Sequence, residues 1–184
     1  MALLADDNTI EQCYPLIDDE QVDVLLVPIG EEAKSLEVVQ FLWNSLADLG
    51  YTRYDYLITL GGGAVSDVGG FVASTYMRGI QLIHIPTTLL GMIDASIGGK
   101  TAIDYRGVKN LVGSFYEPNE VWVSLAFLET LPKQELLSGQ GELIKYGLLD
   151  GDELYQETLD LEVIAPDLIC LLYTSDAADD SLRV

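Results

Sequence analysis

The chain has 184 residues, 49% of them hydrophobic, which is enough for one large domain or one domain and the start of a second. Nine cationic residues stand against 30 acidic ones, and the net charge of -21 argues against non-specific binding to nucleic acid or an anionic membrane. No run approaches the roughly 18 apolar residues of a membrane span, and no signal peptide is visible. We therefore expect a soluble, cytoplasmic protein.

Short apolar runs and helical patterns alternate through the first half of the chain. The predicted strands, each closed by glycine or polar residues, are 2–5, 22–29, 56–60 and 81–85. Helices are predicted at 36–49, where Ser35 is a candidate cap, and at 65–77. Thr87 and Thr88 are expected to precede a further helix.

This alternation predicts an α/β fold with a mainly parallel sheet and helices on both faces. Ligands of such sheets bind beyond the carboxyl ends of the strands, where Asp6, Glu31 and Thr87 fall. The pattern changes after residue 125, because Pro132 is expected to start a helix to about residue 149 and 151–163 to form another. We predict an α/β domain over residues 1–125 and the beginning of a helical domain over 126–169.

Cations and glycines are concentrated in residues 61–116, which contain a triple glycine after a predicted strand and four of the nine cationic residues. Glycine lets backbone N–H groups approach a ligand, so this segment favours an anion site. Generic nucleotide motifs fail, because Ser66 replaces the third glycine of the dinucleotide fingerprint and Asp94 replaces the first glycine of a P-loop. Read alone, the triple glycine fits a tight structural turn equally well.

Five ordered blocks carry more information than any single motif. They read GGGAVSDVGGFVASTYMRG, IPTTLLGMIDASIGGKTAID, KNLVGSFYEP, FLETLP and GQGELIKYG. From residue 5 to about residue 167 the chain resembles the 3-dehydroquinate synthases of the shikimate pathway. The resemblance implies conversion of 3-deoxy-arabino-heptulosonate 7-phosphate, a phosphorylated sugar acid, to 3-dehydroquinate and phosphate. It also implies a homodimer that uses NAD and a divalent metal, zinc or cobalt.

The resemblance further implies roles for individual residues. Cofactor contacts are implied for Asp6, Asn8, Glu31, Lys34, Gly61, Gly62, Gly63, Ala64, Asp67, Thr87, Thr88, Leu90, Asp94, Lys100, Lys109, Phe127, Thr130 and Leu131. Substrate contacts are implied for Asp94, Lys100, Lys109, Asn110, Lys145 and Arg78, of which Asp94, Lys100, Asn110 and Lys145 are catalytic candidates. Arg78 would reach the site of a neighbouring subunit, and Glu142 would bind the metal. Taken singly, Glu31 and Lys34 could form a surface ion pair, the lysines a solvated loop, and Glu142 part of an exposed helix face.

The chain departs from the family pattern at several places. Ala95 stands where serine is usual, and Gly141 where alanine is usual. The family's other two metal ligands are histidines further along, whereas the one histidine here, His84, is expected inside a strand. We therefore expect a fragment that lacks the family's first strand and is inactive by itself. Residues 170–184 resemble translated sequencing-adapter read-through and are excluded from the predicted fold.

Three other functions are compatible with these residues. Another sugar-phosphate cyclase would use the same cofactor and metal on a different substrate, although residues 96–101 (SIGGKT) and the pair Lys109–Asn110 favour dehydroquinate synthase. A metal-dependent polyol dehydrogenase would release NADH in stoichiometric amounts. A non-catalytic fragment would retain at most the binding of the cofactor.

Overall fold

The computed structural model describes residues 1–17 and 21–150. The strands are β1 (Ala2–Asp6), β2 (Asp23–Val27), β3 (Tyr56–Gly61), β4 (Gln81–Pro86), β5 (Lys100–Tyr105), β6 (Val108–Phe115) and β7 (Glu120–Val121). The helices are α1 (Asp7–Gln12), α2 (Leu36–Asp48), α3 (Gly63–Thr75) and α4 (Lys133–Asp150). The helix expected at 151–163 and the tail at 170–184 lie outside the described residues, and the division into domains stays a prediction.

Five parallel strands form the central sheet in the order β2-β1-β3-β4-β7, and β5 and β6 form a separate antiparallel hairpin. This confirms the predicted α/β class. The chain moves outward from β1 to β2 and then returns to the other side of β1 with β3, so the order reverses between β1 and β3. Such a reversal opens a crevice at the carboxyl ends of the two strands.

Helices cover both faces of the sheet, which explains why the strands are almost continuously apolar. One face buries Leu4, Leu57 and Leu82 against α2 and α3. The opposite face buries Leu3, Ile58 and Ile83 together with residues from α1, the segment after Ser124 and α4. No helix of the described residues is long and apolar enough to cross a membrane.

Most predicted elements are present with shifted ends. The strand expected at 22–29 stops at Val27, because Pro28 has no N–H group to donate to the sheet. Helix α2 begins as predicted, since the Ser35 hydroxyl accepts a bond of 3.2 Å from the Val38 N–H. His84 lies buried in β4 as expected, with Nδ1 2.6 Å from the Thr59 hydroxyl, and burial lowers its pKa to about 4.

Two further elements follow β4. The helix expected after Thr88 is confirmed as a short π-helix at Gly91–Ala95, and it ends where both the N–H and the hydroxyl of Ser96 donate to the Gly91 carbonyl. The β5–β6 hairpin was not predicted. It packs on α3 at Gly70, where an added Cβ would lie 2.4 Å from the Thr101 Cγ2.

Candidate active site

The carboxyl ends of the parallel strands open onto a cavity of about 620 Å³, here called the strand-end cavity. Asp6 ends β1, Gly62 follows β3, and Thr87 follows β4, as the sequence predicted for this edge. Fourteen of the residues assigned to the cofactor by resemblance line this cavity: Asp6, Asn8, Glu31, Lys34, Gly62, Gly63, Ala64, Asp67, Thr87, Thr88, Leu90, Phe127, Thr130 and Leu131. The structure therefore brings most of the predicted cofactor set together.

The other four predicted cofactor residues do not line the strand-end cavity. Gly61 is buried as the last residue of β3, and its carbonyl accepts a bond of 3.0 Å from the Thr87 N–H. Asp94 and Lys100 line a neighbouring cavity instead. Lys109 is exposed, with its ammonium 3.4 Å from the Glu31 carboxylate.

One wall of the strand-end cavity is the first turn of α3. Gly62 caps this helix without a side-chain hydrogen bond, and Gly63, Ala64 and Val65 line the cavity. The first N–H groups of a helix have no partner within the helix, and its dipole places partial positive charge there. An added Cβ at Gly62 would lie 3.0 Å from the Thr88 Cγ2, so glycine keeps this wall open. The turn has the features of an anion-binding site.

The end of β1 forms another wall. The Asp6 carboxylate caps α1 by accepting 2.9 Å from the Thr9 N–H, and the Thr9 hydroxyl accepts 3.0 Å from the Asp6 N–H. This reciprocal capping box fixes the first turn of α1, which carries Asn8. A carboxylate held in this way at a cavity wall can accept hydrogen bonds from hydroxyl groups of a ligand.

Lys34 is buried, and its ammonium joins two parts of the site. Its Nζ lies 2.5 Å from Asp67 Oδ2 on α3, and it also donates to Asn110 Oδ1 on β6. The surface pair between Glu31 and Lys34 considered from the sequence is therefore replaced by a pair between Lys34 and Asp67. Burial raises the pKa of the Asp67 carboxyl, while Lys34 opposes that increase.

A second cavity, of about 460 Å³, lies between the β5–β6 hairpin and the short helix Gly91–Ala95, and is called here the hairpin cavity. Asp94, Lys100 and Asn110, three of the residues assigned to the substrate, line it. Asp67, Ala95 and Asn110 line both cavities, so the two spaces meet at these residues. The predicted cofactor and substrate groups thus lie on adjoining walls.

Helix α4 brings further candidates near Asp94. The buried Tyr146 donates its hydroxyl to Asp94 Oδ1 at 3.3 Å, and burial, with Asp94 and Glu142 nearby, raises its pKa to about 12. Glu142 and Lys145 contact each other and line neither cavity. Within residues 1–17 and 21–150, no group of three His, Cys, Asp or Glu side chains could hold a metal ion. Glu142 is the one predicted ligand present, so these residues alone do not fit the metal.

Arg78 lies far from both cavities. It is exposed in the short turn Tyr76–Arg78, at the end of α3 opposite the strand-end cavity. A helix of 13 residues is about 20 Å long, so Arg78 does not reach the site of its own chain. Its contact with a neighbouring subunit stays a prediction.

Several cavity residues were missed by the sequence analysis. Gln12 and Cys13, at the end of α1, line the strand-end cavity, as do Pro132 and Glu135 at the start of α4. Burial raises the pKa of the Cys13 thiol. The Asp6-x-x-Thr9 spacing was the available signal for α1, because it matches a reciprocal helix cap.

Comparisons with known proteins agree with this architecture. Residues 24–138 match the family model described as 3-dehydroquinate synthase N-terminal. A 3-dehydroquinate synthase of Parabacteroides distasonis is 41% identical over 161 residues, which make up 85% of this chain and 46% of the relative. The chain therefore spans less than half the length of that relative.

Solved structures of related cyclases share the fold. A 2-deoxy-scyllo-inosose synthase complexed with carbaglucose-6-phosphate, NAD+ and Co2+ matches with a TM-score of 0.71 and 32% identity, over 78% of this chain and 41% of that one. The 2-epi-5-epi-valiolone synthase of Streptomyces hygroscopicus, with NAD+ and Zn2+ bound, matches with a TM-score of 0.75 and 26% identity, over 99% and 54% of the two chains. From its family match and its identity to curated relatives, the chain belongs to the 3-dehydroquinate synthase family.

Proposed function

We propose that this chain is the cofactor-binding part of a 3-dehydroquinate synthase, which converts 3-deoxy-arabino-heptulosonate 7-phosphate to 3-dehydroquinate and phosphate with NAD. The observation that carries the proposal is the meeting of the two cavities at Asp67, Ala95 and Asn110. A cofactor in one cavity and a substrate in the other would touch only there. Reaction between two bound molecules requires such adjoining sites.

The strand-end cavity fits NAD by the chemistry of its walls. The uncapped N–H groups of Gly63 and Ala64 suit the pyrophosphate, and the carboxylates of Asp6 and Glu31 suit ribose hydroxyls. NAD bound there would supply a reversible hydride acceptor for a substrate hydroxyl. Phe127 and Leu131 add apolar surface to the same cavity.

The hairpin cavity fits an anionic sugar acid. In a chain with a net charge of -21, Lys100 lines this cavity and Lys109 lies near the start of β6 in the same hairpin. Lysine ammonium groups bind phosphate and carboxylate as point charges. We propose that Lys100, Lys109 and Lys145 bind the anionic groups, while Asn110 and Asp94, the latter held by Tyr146, orient substrate hydroxyls.

The metal requires residues beyond those described. We propose Glu142 as one ligand, because related cyclase structures contain Co2+ or Zn2+ and a catalytic zinc ordinarily has three protein ligands. The sequence has one histidine, and its ring lies buried in β4 against Thr59. We therefore propose that the 184 residues alone do not turn over substrate.

Product analysis on the complete enzyme tests the proposed function. The enzyme is incubated with the heptulosonate phosphate, NAD and zinc or cobalt, while phosphate, NADH and 3-dehydroquinate are measured. We expect one phosphate and one 3-dehydroquinate per substrate consumed, with no net NADH, because the hydride returns to the substrate. Stoichiometric NADH would identify a dehydrogenase, and turnover of a different sugar phosphate alone would identify another cyclase.

A further inference from the structure

The β5–β6 hairpin contains an irregularity next to the site. Its strands pair regularly from Lys100 with Phe115 to Ile103 with Val112, and pairing resumes at Tyr105 with Val108. Three residues of β6, 109–111, therefore lie opposite the single residue Asp104 of β5. This irregularity is a β-bulge. Bulges bend a strand and redirect the side chains that they carry.

The Asp104 carboxylate holds this bulge. Its Oδ1 accepts a bond of 2.9 Å from the Asn110 N–H, which has no ladder partner in the bulge. Asn110 has a φ of +54°, in the left-handed region that asparagine adopts more readily than most residues. The bond from the Asn110 N–H to Asp104 thus stabilises the left-handed conformation of Asn110. Regular pairing of β6 with β5 would require an extended conformation instead.

The bulge also faces the turn Gly30–Ala33 and the residue after it. The Asp104 N–H donates 2.8 Å to the Lys34 carbonyl, and the Lys34 ammonium donates to Asn110 Oδ1. Lys109, the neighbouring bulge residue, pairs with Glu31 at 3.4 Å. The side chains of Lys109 and Asn110 are therefore directed to the side of the strand-end cavity.

We propose that Asp104 is a positioning residue of the substrate site, a role that rests on the proposed function. It fixes the left-handed conformation of Asn110 and so holds the Asn110 amide where the two cavities meet. Asp104 lines neither cavity, so it acts through Asn110 and not by touching a ligand. Without its carboxylate the bulge can relax toward regular pairing, and Asn110 and Lys109 would turn away.

Two substitutions of Asp104 in the complete enzyme test this role. Asp104→Ala removes the acceptor, whereas Asp104→Asn keeps an acceptor oxygen and removes the charge that Asp104 places near Asp67. A matched control is Asp55→Ala, since the Asp55 carboxylate accepts 2.8 Å from the Thr52 N–H in a turn outside both cavities. The readouts are kcat, the KM for the heptulosonate phosphate, and the Kd for NAD.

We expect Asp104→Ala to raise the substrate KM by about three- to tenfold, the range of one hydrogen bond, with kcat and NAD Kd within about twofold of wild type. Asp104→Asn and Asp55→Ala should leave the KM near the wild-type value. An unchanged KM in Asp104→Ala, or an equal rise in Asp104→Asn, would overturn the proposal.

A structural readout separates this inference from the proposed function. In a crystal structure of the Asp104→Ala enzyme, we expect Asn110 to leave the left-handed region and its amide to leave Lys34. Asn110 unchanged in that structure would refute the positioning role. A wild-type enzyme without dehydroquinate synthase activity would instead refute the proposed function, and the conformation of Asn110 would still decide the role of Asp104.

Discussion

Replacement of the buried Lys34 should destabilise the protein strongly, because its ammonium is the partner of a carboxylate with little access to water. The side chains of Lys34 and Asp67 are 4% and 21% exposed, and the paired atoms are 2.5 Å apart. Removing one member of a buried ion pair costs about 3–5 kcal/mol. Since a fifth of Asp67 remains in contact with water, we expect Lys34→Met to cost about 2–3 kcal/mol, or roughly 5–10 °C in Tm.

A double-mutant cycle with Asp67→Asn separates the ion pair from the packing of the lysine stem. The free energy of unfolding would be measured by chemical denaturation for wild type, both single variants and the double variant. We expect the double variant to regain at least about 1 kcal/mol relative to Lys34→Met, because no uncompensated charge remains. A cost of Lys34→Met below about 0.5 kcal/mol, or strict additivity of the two changes, would show that the ion pair between Lys34 and Asp67 does not stabilise the fold.

The same variant should show a defined pH dependence. Burial already raises the pKa of Asp67, and loss of Lys34 removes the group that opposes the increase. A carboxyl whose pKa is raised in the folded state favours folding at low pH and loses that contribution as the pH rises through its folded pKa. The penalty of Lys34→Met should therefore be largest at neutral pH and shrink toward pH 4. A penalty that grows on acidification would contradict this assignment.

Three further outcomes are expected. Gly62→Val should raise the Kd for NAD, measured by calorimetric titration, more than tenfold, because the new side chain fills the space beside Thr88. Gly141→Ala is the control and should leave this Kd unchanged, because an added Cβ there meets open space. The pKa of His84 is about 4 in the folded protein, against an ordinary value of 6.5, so its neutral ring favours folding by roughly 3 kcal/mol above pH 6.5. This contribution is lost as the pH falls toward 4, so the Tm of His84→Asn should decrease less on acidification than the Tm of wild type. Ser35→Ala should cost about 1 kcal/mol in denaturant unfolding without changing the Kd for NAD.

Local sequence signals were sufficient for the parallel sheet. Apolar runs ending in glycine or polar residues located β1 to β4, and the helical spacing with Ser35 located α2. The rule that ligands bind at strand ends then placed Asp6, Gly62 and Thr87 at one edge. These features depend on residues close together in the chain, so they can be predicted from a single sequence.

The β5–β6 hairpin shows where such signals fail. Its turn is only Arg106 and Gly107, both with positive φ, and β6 is exposed along most of its length. An exposed strand lacks the apolar alternation by which strands are recognised. The basic and glycine residues of this segment were instead interpreted as a ligand-binding loop, and the bulge at Asn110 has no local sequence signature.

Partners distant in sequence were also not predictable. Lys34 pairs with Asp67 and Asn110, which lie 33 and 76 residues away, and not with Glu31 three residues before it. The i,i+3 spacing predicted a pair between Lys34 and Glu31. In the folded chain Lys34 is buried, and its ammonium pairs with Asp67 instead. The resemblance named all these residues as ligand contacts, but the bridge among them arises only from the tertiary fold.

A structure of the complete enzyme with NAD would show directly whether the strand-end cavity binds the cofactor. We predict that the pyrophosphate lies in the strand-end cavity, within hydrogen-bond distance of the N–H groups of Gly63 and Ala64. We also predict that the nicotinamide lies toward Asp67, Ala95 and Asn110, where that cavity meets the hairpin cavity. NAD bound at another place, or no NAD in this cavity at saturating concentration, would contradict it.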